Sequence, residues 1–308
     1  MTAQPPLAVE IVDNMEKASG KFPGYRRAHA RGACFQATFE PTGKVAELTT
    51  AAHLTGEPVA ATVRFSNAGG SPHVPDGSRS GRGIAVKFHL ADGTDTDLVG
   101  VNLPVFIAAT PEHFLKLLAA LTPGEDGQRD PAKLQGFLAE YPEAVPGFQA
   151  VGTMPIPTSY GTARYWAIHA FTWVNAQGQR QSVRYRWEPD LGEQSVTEQE
   201  AADWDEAYLT EELERRLADG PVRLTLHVQL AEPGDPTNDC TKAWPADRPE
   251  LVVGHLTIKA PVADQAYWAG QVFDPTRVTA GIELSDDPVL AIRKAAYAVS
   301  YERRSHDA

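Results

Sequence analysis

The chain has 308 residues, 42% of them hydrophobic and 22% charged, the balance of a globular protein with a real core. A net charge of -12 and a pI near 5.2 argue against a nucleic-acid or anionic-membrane surface and leave room only for a local basic pocket. Met1 to Gly20 does not resemble a secretory signal, no apolar run is long enough to span a membrane, and Cys34 and Cys240 are too few for a disulfide framework, so a cytoplasmic protein with reduced cysteines is expected.

Residues 1–24 read as a short polar arm with one or two helical turns around Val9–Ala18, ended by Gly20 and Pro23. From Arg27 the pattern alternates: His29, Arg31, Ala33 and Phe35 would face one side of a strand, Ala30, Gly32, Cys34 and Gln36 the other. Strands are predicted at Ala60–Ser66 and Gly83–His89, with a Gly/Ser/Pro/Asp loop between them, and at Asp97–Gly100. Helices follow at Pro111–Leu121 and Pro131–Tyr141, then a proline-punctuated connection, Pro142–Thr158. A hairpin pairs Tyr165–Val174 with Gln181–Trp187 around Asn175-Ala176-Gln177-Gly178. Helical pattern covers Thr197–Ala218 and stops at Gly220-Pro221, after which Val222–Ala231 and Glu250–Lys259 alternate as strands.

The last helix begins at Asp287-Pro288, Asp as N-cap and Pro at the first position. Val289, Ile292, Ala296 and Val299 fall near its core face, while Arg293 and Tyr297, four residues apart, are neighbours on an adjoining one. A guanidinium beside a phenol favours the ionised phenolate, a hard ligand suited to ferric iron. On spacing alone an Arg simply packed on a Tyr explains the pair better. Without repeats or linkers, residues 25–308 read as a single domain behind the arm. Hairpins with helices between them point to an α+β fold with an antiparallel sheet or barrel.

Singly, His29, Arg64-Phe65-Ser66 and Asn102 are ordinary strand and turn residues. Their order, however, resembles the haem catalases, and in particular their short relatives, the catalase-related peroxidases, from about Tyr25 to Arg304. Arg26-Arg27-Ala28-His29-Ala30-Arg31-Gly32 is similar to the family's distal-histidine motif and Val63-Arg64-Phe65-Ser66 to its serine strand. Gly83-Ile84-Ala85-Val86-Lys87-Phe88 and Asp97-Leu98-Val99-Gly100-Val101-Asn102-Leu103-Pro104-Val105-Phe106 resemble the segment bearing the distal asparagine. Thr241-Lys242-Ala243-Trp244-Pro245, Phe273-Asp274-Pro275, Gly281-Ile282-Glu283 and the Arg293–Tyr297 spacing match further signatures.

The resemblance implies an antiparallel β-barrel of the haem catalase type with surrounding helices, holding haem, expected as haem b with ferric iron. It makes Tyr297 the axial iron ligand, kept ionised by Arg293, with His169 and Asp287 as a hydrogen-bonded relay behind Arg293. Arg26, Arg64 and Arg304 match residues that pair with haem propionates. His29 is implied as the general base and then acid that breaks the O–O bond of hydrogen peroxide or an organic peroxide heterolytically. Ser66 would fix its imidazole and Asn102 orient the peroxide. Phe106 and Phe114 are candidates for aromatic packing near the haem, and core packing explains them equally well.

The chain departs from large catalases in its short arm, in having only 11 residues after Tyr297, and in Ala28, where they usually have a bulkier Val. A wider entrance, a small organic electron donor, and a monomer or homodimer rather than an interlocked tetramer are therefore expected. The reading is a haem peroxidase with weak catalase activity. The alternatives are a true catalase dismuting hydrogen peroxide, a lipid-hydroperoxide enzyme of the allene oxide synthase type, which Ala28 does not match, and non-enzymatic haem binding.

Overall fold

The structure, a computed structural model, describes residues 6–307. Eight antiparallel strands form its centre: β1 Gly32–Pro41, β2 Val59–Asn67, β3 Arg82–His89, β4 Asp95–Val101, β5 Tyr165–Val174, β6 Arg180–Pro189, β7 Val222–Leu230 and β8 Glu250–Pro261. Their order, β5-β4-β3-β2-β1-β8-β7-β6, returns to its start through the β5–β6 hairpin, so the sheet closes into a barrel. Closure removes the strand edges that would recruit another chain. A short strand, β9 Ile282–Leu284, pairs with β5 on the outside.

Alternation decides what fills the barrel. Phe35, Phe39, Phe65, Ile84, Phe88 and Trp187 all point inward and are at most 1% exposed. Each such side chain contributes about 2 kcal/mol by leaving water. The helices pack outside: α1 Leu7–Ser19, α2 Pro111–Leu121, α3 Pro131–Glu140, α4 Val145–Thr153, α5 Tyr208–Asp219, α6 Gln265–Gly270 and α7 Pro288–His306. Thr110, Asp130 and Asp287 cap α2, α3 and α7 by accepting backbone N–H groups of the first turn, each followed by proline. Among the described residues no helix is long and apolar enough to cross a membrane.

Several boundaries differ from expectation. The predicted arm holds a 13-residue helix, α1, whose Ala8, Ile11 and Val12 are buried, although residues 1–5 lie outside the described part. Its i, i+3, i+4 apolar spacing earns a full helix once another surface covers it. Arg27 and Arg303 provide that docking. Arg27 donates to Glu16 of α1 and to Asp307 beyond α7, both at 2.5 Å, and Arg303 donates to Asp13 at 2.5 Å. The strand expected from Arg27 begins only at Gly32. The connection at Pro142–Thr158 contains α4. The helical pattern of Thr197–Ala218 is split, because the Asp205 side chain accepts the Ala207 amide and competes with the helix ladder.

Candidate active site

The strand register builds one wall of a cavity on the outside of the barrel. Residues directly opposed across antiparallel strands share a face. One such row is Cys34–Arg64–Ala85–Val99, and the next is Gly32–Ser66–Gly83–Val101. Arg64 and Ser66 therefore project outward side by side, while the intervening Phe65 is buried in the barrel. The bend before β1 brings His29 over the second row. Its Nδ1 lies 3.0 Å from Ser66 Oγ. At Gly83 there is no room for a side chain: a Cβ would stand 2.7 Å from that same nitrogen.

His29 is held from its backbone as well. It is the one non-glycine residue with positive φ among those described, at 54°. Its amide donates to Ala68 O at 3.2 Å, and Arg64 donates to its carbonyl at 2.8 Å. A left-handed backbone in a residue other than glycine costs of order 1 kcal/mol and persists where the surroundings enforce it. Burial pushes the imidazole pKa down to about 3, with Arg64, Arg293 and Arg26 adding repulsion, so the ring is neutral at pH 7.

Helix α7 forms the facing wall. Ala296, Tyr297, Ser300 and Arg304 line the cavity from successive turns. Arg293, one turn before Tyr297, donates to the phenol oxygen through Nε at 3.2 Å and a terminal nitrogen at 2.5 Å. At the start of α7, Asp287 caps the helix and meets His169 Nδ1 at 2.6 Å, both side chains at most 2% exposed. Burial raises the Asp287 pKa, but the bonds from His169 and the helix amides outweigh it and leave the carboxyl below its usual range. Burial lowers the His169 pKa against the opposing bond to Asp287, and charge repulsion from Arg293 adds to the fall.

Between the walls lies about 770 Å³ of empty space, part of it open to solvent; cofactor pockets typically enclose about 300–1,000 Å³. Three cations converge there. Arg26 donates to Gln271 O at 2.6 Å, Arg64 to the backbone at His29 and Ala30, and Arg304 to Gly270 O at 3.2 Å. Among the described residues none of the three meets a carboxylate. Burial pushes the Arg26 pKa down to about 8, with Arg64 and Arg304 repelling it further. Arg304, although near the end of α7, is only 6% exposed. Uncompensated guanidinium groups in a cavity that also presents a phenol oxygen and a neutral imidazole on opposite walls fit haem, with its two carboxylates and one iron.

The structure therefore brings Arg26, His29, Arg64, Ser66, Tyr297 and Arg304 to one cavity, joins Arg293 to Tyr297, and pairs His169 with Asp287, with His169 Nε2 left without a partner among the described residues. Three of the expected residues lie beside that lining. Asn102 is buried, its Oδ1 accepting the Arg82 amide at 2.6 Å and its Nδ2 having no partner among the described residues. Phe106 packs on Ile168, Cys240 and Val289, and Phe114 on the cluster of Leu117 and Phe137; the two ring centroids are 5.5 Å apart. Conversely Val12 and Met15 of α1, Gly83 and Phe273 all line it. The apolar spacing of Ala8, Ile11, Val12 and Met15 was the signal for the first two.

A catalase family model matches residues 9–306. The chain is 38% identical over 304 residues to a catalase-related peroxidase of Mycolicibacterium paratuberculosis, covering 96% of this chain and 94% of that one. It is 33% identical over 298 residues to a catalase-related peroxidase of Synechococcus elongatus, covering 96% and 88%. Among solved structures, a bacterial catalase superposes with a TM-score of 0.82 at 26% identity, covering 99% of this chain and 62% of that one. A Capsicum annuum catalase is 30% identical, and the chain spans 60% of its length.

Proposed function

We propose that this chain, which belongs to the catalase family and is an oxidoreductase, works as a haem-dependent peroxidase: it cleaves hydrogen peroxide or an organic peroxide heterolytically and oxidises small organic donors, with weak catalase turnover beside it. The observation that supports this most is the convergence on one cavity of the His29–Ser66 pair, the Arg293–Tyr297 pair and three arginines lacking carboxylate partners.

Tyr297 would bind the iron through its phenol oxygen, with Arg293 holding that oxygen in place, and Arg26, Arg64 and Arg304 would take the carboxylates. Haem, when bound, supplies the redox chemistry at which the peroxide O–O bond is cleaved. On the opposite wall, His29 Nδ1 and Ser66 Oγ are 3.0 Å apart, and in the tautomer whose Nδ1 donates to Ser66 the Nε2 is the basic nitrogen. The neutral ring accepts the peroxide proton at Nε2 and returns it to the departing oxygen. Beside His29 the cavity is lined by the small side chains of Ala28, Ala85 and Val99, which leaves room for an organic donor to approach.

The test is the visible spectrum of haem-loaded protein during peroxide addition, with an oxygen electrode in the cuvette and a phenolic donor added second. The reading expects a peroxide-induced spectral change that persists until the donor arrives. Oxygen release far faster than donor oxidation would refute it in favour of a true catalase.

A further inference from the structure

Beside the cavity, the short helix α6 presents two oxidisable rings at the surface. Tyr267 is 57% exposed, and its ring meets Trp268 edge-on at 5.4 Å. Trp268 is partly buried and packs on the cluster of Cys34, Val262 and Phe273, on which the cavity-lining Ala85 and Val99 also pack; Phe273 itself lines the cavity. The centroid distance from Trp268 to Phe273 is 6.5 Å. Rings in contact thus run from solvent to the cavity wall. The end of α6 is also joined to the cavity: Arg304 donates to the carbonyl of Gly270, and Arg26 to that of Gln271.

We propose that Tyr267 and Trp268 form a surface site at which phenolic donors too large to enter the cavity deliver electrons to the oxidised cofactor. The proposal rests on the haem peroxidase reading of the cavity. Trp268 passes an electron inward past Phe273, and Tyr267 refills it, releasing its phenolic proton to solvent. The donor phenol then restores Tyr267 by giving up one electron and one proton. Two such cycles per peroxide balance the reaction, one peroxide and two phenols giving two waters and two phenoxyl radicals.

Local charge favours this route over the rival one. Tyr301, 44% exposed and one turn beyond Tyr297, lies under the Arg304 guanidinium at 4.9 Å, and a cation over a ring opposes its oxidation. Trp268 lies 5.9 Å from the ring of His89, whose Nδ1 meets the Asp95 carboxylate at 2.8 Å, and Asp264 caps the helix beside Tyr267. Those carboxylates stabilise positive charge developing on the pair.

The experiment adds hydrogen peroxide to the haem-loaded protein without donor, in the presence of a nitroso spin trap, and locates the adduct by peptide mass mapping. The adduct is expected on Tyr267 or Trp268, and to be absent from the double variant Tyr267→Phe, Trp268→Phe. A phenol tethered to dextran is expected to be oxidised at least about tenfold more slowly by Trp268→Phe, while free phenol is oxidised at the parent rate. Tyr267→Phe, a change at an exposed ring, keeps the test valid if Trp268→Phe folds poorly, and Tyr301→Phe is expected to change neither readout. An adduct on Tyr301 or Tyr25, or unchanged oxidation of the tethered phenol, overturns the proposal alone. Failure to bind haem at all would overturn the underlying reading with it.

Discussion

Gly83→Ala tests whether the position of His29 sets the rate of peroxide cleavage. Gly83 lies between Ser66 and Val101 in the strand register, directly beneath the imidazole. The new methyl carbon would stand 2.7 Å from His29 Nδ1 and 2.8 Å from Ser66 Oγ, so they must yield by about 0.7 Å and about 0.6 Å to reach the 3.4 Å of ordinary contact. The ring must yield, because the backbone of His29 is fixed by hydrogen bonds to Ala68 and from Arg64. A displacement approaching 1 Å costs on the order of 100-fold in rate, equivalent to about 2.7 kcal/mol in activation free energy. Overpacking lowers stability by about 1–3 kcal/mol, which leaves the protein folded. Haem uptake should be unchanged, since Tyr297 and the arginines are untouched. The assay is stopped-flow measurement of the spectral change when peroxide meets the haem-loaded variant. A rate within about twofold of the parent, in a protein shown to bind haem, would refute the role given to His29.

Arg64→Leu removes a charged partner worth about 1.5–3 kcal/mol to a bound carboxylate, so haem titration is expected to show roughly 10- to 100-fold weaker binding, and equal affinity would contradict the assignment. His53 is 5% exposed, its ring 4.7 Å from that of Phe88, its Nδ1 without a partner, and burial pushes its pKa down to about 3. The unfolded chain therefore takes up this proton first as pH falls below about 6.5, and stability is lost from there toward pH 3, by about 2 kcal/mol at pH 5. Urea unfolding at pH 7 and pH 5 should show His53→Leu losing less stability than the parent by about that amount, and equal losses would be inconsistent with a buried neutral histidine. Arg27→Met breaks the ties to Glu16 and Asp307; because both carboxylates are partly solvated, the cost is about 2 kcal/mol, and faster proteolysis within α1 is expected, while an unchanged cleavage pattern would show that α1 docks without it.

The sequence was most readable where local chemistry and tertiary role agree. Asp287-Pro288 starts α7 as predicted because the cap is built from adjacent residues, and the barrel strands follow from simple alternation. It was least readable where side-chain direction depends on register. Val101 and Asn102 are adjacent, and only the pairing of β4 with β3 sets Val101 opposite Gly83. His29 was assigned to the alternating strand, but its position depends on a left-handed turn that Ala68 and Arg64 enforce from far along the chain. The apolar spacing of α1 marks Val12 and Met15 as inner-face residues, but that this face meets the cavity is decided by the surface that covers it.

An excess of acidic residues over the whole chain conceals the opposite charge at its centre. Arg26, Arg64 and Arg304 are drawn from the segment before β1, from β2 and from α7, so the fold assembles the cluster from three distant stretches of sequence. Their mutual repulsion and desolvation oppose folding of the empty protein, and hydrogen bonds to Gln271, His29 and Gly270 carbonyls offset only part of that cost. A ligand bearing two carboxylates neutralises the cluster, so its binding stabilises the same contacts that fold the site, and free energy lost by the empty cavity returns as affinity. The neutral His29 faces that field across the cavity. Arginine charge disfavours a proton resting on its ring, which keeps the base available to the peroxide.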